Sequence, residues 1–75
     1  MRYSITFLWE PDLSDARIDA LITSFGLTRS GAIEKQGRTI IITVAENVSD
    51  ATLDSIRQAL IAEVTTALVK IERLA

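Results

Sequence analysis

The side chains of this chain that could do acid-base or metal chemistry are carboxylates, and they fall in two groups. Glu10, Asp12, Asp15 and Asp19 crowd the approach to one helical pattern, and Glu46, Asp50 and Asp54 crowd the approach to a second. Closely set carboxylates can push their pKa values apart and serve as an acid and a base. Acids in the first turn of a helix also have an ordinary purpose, since negative charge there suits the helix dipole. With no His and no Cys in the chain, imidazole and thiolate are missing both as nucleophiles or bases and as metal ligands. No D-x-D-x-D-G calcium loop is present. The acids therefore read as structural, with no catalytic residue, no cofactor and no metal site expected, and the chain as no enzyme.

Composition points the same way. The chain has 75 residues, 48% of them hydrophobic and 24% charged, with one Pro, three Gly and a net charge of -2. That is a folding composition sized for one small core, so a single domain over residues 1–75 is expected. Without disulfides or metals, stability must come from aliphatic packing, which self-association would assist. The longest apolar run falls far short of the ~20 residues that span a bilayer. Residues 1–6 alternate in polarity and do not read as a signal peptide, so a cytoplasmic protein with no membrane partner is expected.

The elements that must position these residues are marked by a repeat. Leu13-Ser14-Asp15-Ala16 returns as Val48-Ser49-Asp50-Ala51, 35 positions on, and in each copy the Ser can cap a helix. Leu13 with Ile18, and Val48 with Leu53, stand at the two positions of a hydrophobic staple. The first helix runs from Ser14 to about Phe25, with Ile18, Leu21, Ile22 and Phe25 at helical spacing and Gly26 as its stop. The second opens at Asn47-Val48-Ser49 and buries Leu53, Ile56, Leu60, Ile61 and Val64.

Strands fill the remainder. Tyr3 to Trp9 alternates, with Tyr3, Ile5, Phe7 and Trp9 on one parity, until Glu10-Pro11-Asp12 ends it. Leu27 to Gln36 is a weak edge strand, Gln36-Gly37 a tight turn, and Arg38 to Ala45 the strongest strand and a central one. Thr65 to Arg73 closes the chain. The order is βαββαβ, and an offset of 35 lays Ile5 on Ile40, Asp19 on Asp54 and Lys35 on Lys70. Two right-handed βαβ units then give an α+β, ferredoxin-like sandwich with a pseudo-two-fold repeat, an antiparallel sheet of order 4-1-3-2 and both helices on one face. In that arrangement the two acidic groups lie at opposite ends of the sheet. The repeat equates Ile33 with Leu68, whereas burying Val69 and Ile71 turns Leu68 outward. Either Ile33 is also exposed, or strand two has slipped by one residue relative to strand four.

This topology resembles that of RNA-recognition domains, which stack bases on aromatics of the central strands. Here Arg38-Thr39-Ile40-Ile41-Ile42-Thr43-Val44 supplies the leading Arg and no aromatic, and Tyr3, Phe7 and Trp9 read as packing residues under the helices or at the sheet edge. With a negative net charge, nucleic acid is not the expected partner. Acylphosphatases share the topology and use an Arg-bearing phosphate loop after strand one, where this chain has Glu10-Pro11-Asp12. Ligand-sensing ACT domains are similar in the order of elements, which implies an effector site near Glu10 to Ser14, although their loop glycine is missing between Trp9 and Ser14. The positive feature is the helix-free face, where Leu8, Thr6, Ile41, Thr43, Leu68 and Lys70 fall. If Leu8, Ile41 and Leu68 lie together they make a patch for a protein partner or a second copy, and an edge strand, strand two in particular, offers another route. The expectation is a non-catalytic protein-interaction module, a self-associating subunit (simplest as a homodimer), adaptor or inhibitor. The alternatives are an ACT-like ligand-sensing domain and a phage-type inhibitor that occupies a nucleic-acid-binding surface.

Overall fold

Alternating β-branched and aromatic residues at one end of the chain and an isoleucine-rich run in its middle become the two central strands of one sheet. The computed structural model describes residues 1–65 and 68–74. The elements in chain order are β1 (Arg2–Phe7), α1 (Asp15–Ser24), β2 (Glu34–Gln36), β3 (Thr39–Thr43), α2 (Asp50–Val64) and β4 (Val69–Leu74). The sheet is antiparallel with order β2-β3-β1-β4, which read from the other edge is the expected 4-1-3-2. One face carries Tyr3, Ile5, Phe7, Ile40, Ile42, Val44 and Val69, all buried in one core with Ile18 and Ile22 of α1 and Ile56 and Leu60 of α2. Both helices therefore cover that face and leave the other to solvent.

The repeated Ser caps form. Ser14 accepts the Arg17 N–H at 3.1 Å and Ser49 the Thr52 N–H at 3.2 Å, each satisfying one of the free donors of a first turn. Leu13 and Val48, the residues before the caps, are buried as staples require. Gly26 ends α1 at φ +78, and the Gly26 N–H to Thr23 and Leu27 N–H to Ile22 bonds complete a Schellman motif. Gly37 takes φ +60 in the two-residue link between Gln36 and Thr39, a position where a side chain would be strained.

Four boundaries differ from the sequence reading. β1 ends at Phe7, so Trp9 is neither in the strand nor in the core and stands half exposed. Strand two shrinks to three residues, because Ser30-Gly31-Ala32 offers little to pair or pack, and an isolated Arg29–Val44 bridge is what continues it upstream. β3 is correspondingly shorter, Thr39–Thr43 in place of Arg38 to Ala45. Thr65 does not begin the last strand but caps α2 in the left-handed conformation, φ 52. Thr66 and Ala67, also assigned to that strand, lie outside the described residues.

The register ambiguity resolves as a slip. Lys35 pairs with Ile40, so the odd residues of β2 share the helix-covered face, and Ile33 packs against the core. Leu68 is exposed on the other face. The two residues that the repeat equates thus point in opposite directions, and so do Lys35 and Lys70.

Candidate interaction surface

Strand pairing fixes the helix-free face as three rows. Gln36, Thr39, Thr6 and Lys70 form one, Glu34, Ile41, Ser4 and Glu72 the next, and Thr43, Arg2 and Leu74 the third. All six residues expected to form an interaction surface lie on this face or at its end, but they do not form one patch. Ile41 is half-buried between Ser4 and Glu34. The Thr6–Thr39 row, whose hydroxyls approach to 3.4 Å, stands between it and Leu8, a separation of about 13 Å along the strand. Thr43 lies under Gly31, where even a single added Cβ would come within 3.4 Å of it, so the lead-in to β2 covers it. Ion pairs Arg2–Glu34 at 3.2 Å and Lys70–Glu72 at 3.3 Å decorate the rest of the face.

Among the described residues, three of the four exposed large apolar side chains gather instead at one corner, and Met1 lies at the opposite end of β1. Leu8 and Leu68 flank the Phe7–Val69 pair at the end of β1 and the start of β4, with exposures of 44% and 56%. Trp9, the next residue, is 50% exposed. Arg38 sits at the same end, its carbonyl accepting the Phe7 N–H at 2.9 Å and its guanidinium reaching the Leu8 carbonyl at 3.5 Å. Tryptophan and arginine are residue types enriched where proteins make contact, and the two leucines add exposed apolar area beside them. Trp9 was not expected here. Alternation alone sets Trp9 on the core side with Phe7, and the signal against that is the Glu10-Pro11 break just beyond it, where the pairing that alternation depends on runs out.

The edges of the sheet are unequal. β2 is short and interrupted, which removes strand two as the stronger site for an added strand. β4 is six residues long and pairs with β1 without a bulge from Arg2–Leu74 to Phe7–Val69. The Phe7 N–H to Arg38 and Val44 N–H to Met1 bonds show that odd residues of β1 address β3, so even ones address β4. It follows that Lys70, Glu72 and Leu74 bond to β1, while the backbone N–H and C=O of Val69, Ile71 and Arg73 point outward. Beside this edge a shallow groove runs between α2 and β4, lined by Asp50, Leu53, Asp54, Arg57 and Ile71.

Comparison with protein-family models, curated proteins and solved structures gave no match for this chain.

Four of the seven carboxylates in the two acidic groups have structural partners. Asp15 pairs with Lys35 and Asp19 with Arg29, both at 3.0 Å, and Asp54 with Arg57 at 2.7 Å. Glu46 accepts the Thr28 backbone N–H at 2.8 Å, and that bond holds its carboxyl below the ordinary carboxylate value. The first acidic group lies by the end of β1 and the second by the end of β3, and these are opposite ends of the sheet. No group of three or more acids gathers at metal-binding distance among the described residues, and among them no helix is long and apolar enough to cross a membrane.

Proposed function

We propose that this chain is a small ferredoxin-like, non-catalytic module that acts through protein contacts made by the helix-free side of its sheet. The observation that carries the reading is the corner formed by Leu8, Trp9 and Leu68, which leaves three large apolar side chains about half exposed at one end of a mostly polar face. Exposing such groups together has no benefit to a solitary monomer and is the usual mark of a contact site. The aromatics Tyr3 and Phe7 are spent in the core, and the open positions of β1 and β3 are Arg2, Ser4, Thr6, Thr39, Ile41 and Thr43. Those strand positions, where RNA-recognition domains stack bases, carry no ring, the exposed Trp9 standing beyond the end of β1, and this favours protein over nucleic acid as the partner.

The test is affinity capture from the native host with the full chain, Leu8→Lys and Trp9→Ala as parallel baits. Both positions are exposed, so both variants are expected to fold with unchanged circular dichroism. Proteins held by the wild-type chain, this chain itself included, should be depleted from both variants by about tenfold or more, as for loss of a buried aromatic or leucine anchor. Identical captured sets from all three baits would sink the reading.

A further inference from the structure

The outward edge of β4 is self-complementary. Because only Val69, Ile71 and Arg73 present free backbone groups there, an added strand must set its own outward residues opposite these three. For two copies of β4 running antiparallel about a two-fold axis, each residue from Val69 to Arg73 can in turn lie on the axis. Val69 or Arg73 on the axis leaves most of each strand overhanging, and the latter also sets Arg73 against itself. Lys70 on the axis brings two lysines face to face, and Glu72 on the axis brings two glutamates face to face. Ile71 on the axis places Lys70 opposite Glu72 of the second copy, and Glu72 opposite Lys70, while every outward N–H and C=O of both strands finds a partner.

The geometry points to a homodimer in which β4 pairs antiparallel with β4 of a second copy, Ile71 on the two-fold axis, joining two four-stranded sheets into one. This rests on the reading of the chain as a protein-interaction module and names its partner as the chain itself. β4 contains no Pro and no bulge to protect it against pairing. The charges that would otherwise guard it, Lys70 and Glu72, form an exposed pair within one copy at 3.3 Å and become cross-strand pairs between two. On the helix side, the half-buried Ile71 meets its symmetry mate where the two Leu53-lined grooves converge. On the open side, Leu68 comes opposite Leu74 of the second copy, which extends the apolar corner across the joint.

Sedimentation equilibrium at low ionic strength tests this with exposed, fold-neutral substitutions. The wild-type chain is expected to dimerise as concentration rises. Lys70→Glu and Glu72→Lys each set like charges opposite one another and should weaken the dimer roughly tenfold. An equimolar mixture of those two variants should regain the wild-type dissociation constant, since each supplies the sign that the other lacks, and so should the double swap Lys70→Glu/Glu72→Lys. A wild-type chain that stays monomeric at millimolar concentration overturns the dimer, whatever the capture experiment shows for the Leu8–Trp9 corner. A wild-type dimer that is indifferent to both single swaps overturns this edge and register while self-association stands.

Discussion

Tyr3 links the central strand to the entry of the second helix. Its side chain is fully buried, and its hydroxyl accepts the Val48 N–H at 2.8 Å and donates to Asn47 Oδ1 at 3.4 Å. The Arg73 guanidinium lies 5.7 Å from the ring centroid and donates to the Val48 carbonyl at 2.8 Å, so one aromatic residue ties β1, β4 and the loop before α2. Tyr3→Phe keeps the ring and orphans a buried N–H, a loss of about 1–3 kcal/mol. Urea unfolding should show a lower midpoint with an unchanged slope. An unshifted midpoint would mean that water satisfies Val48 equally well. That Tyr3 is buried could be read from parity alone, but its hydroxyl partners could not, because they sit more than forty positions away, at a loop whose path depends on the fold. Trp9 shows the converse case. Parity taken one step too far buries it, whereas the strand stops at Phe7 and leaves it to solvent.

The helices were the most legible elements, because their information is local. A Ser cap, a staple and an early Asp are specified within a few residues, and the chain uses the set twice. Ser14→Ala and Ser49→Ala should each cost about 1 kcal/mol, and their combination roughly the sum, since the caps belong to different helices at opposite ends of the sheet. Thermal or urea unfolding of the two single variants and the double checks this, and a double variant no worse than either single one would show that the caps are not independent. The edge strands were less legible. Whether Ile33 or its neighbours face the core depends on how β2 meets β3, a contact between elements that the internal repeat does not encode. The repeat itself suggests that β2 and β4 are equivalent, and the fold breaks that equivalence twice, by a one-residue slip and by length: β2 has three residues and is interrupted, β4 has six and is regular.

At the scale of the whole molecule, strand order followed from the sequence because the two most apolar strands had to be central, and the observed order places them there. The candidate surface was only partly legible. Of the six residues that alternation assigned to the open face, Thr6, Ile41, Thr43 and Lys70 lie in its paired rows and Leu8 and Leu68 just beyond the strand ends, but contiguity is set by register, and register separates Ile41 from Leu8 and Leu68. What results is a sheet with a filled face, a mostly polar face with one apolar corner, a blunted edge and an open one. In the proposed dimer the open edge is where the sheet is completed. Amide hydrogen exchange along β4 at high protein concentration tests this residue by residue. In a completed sheet Val69, Ile71 and Arg73 are protected together with Lys70 and Glu72, whose amides bond to β1. Fast exchange at the three odd positions beside slow exchange at the even ones, persisting to millimolar concentration, would contradict it.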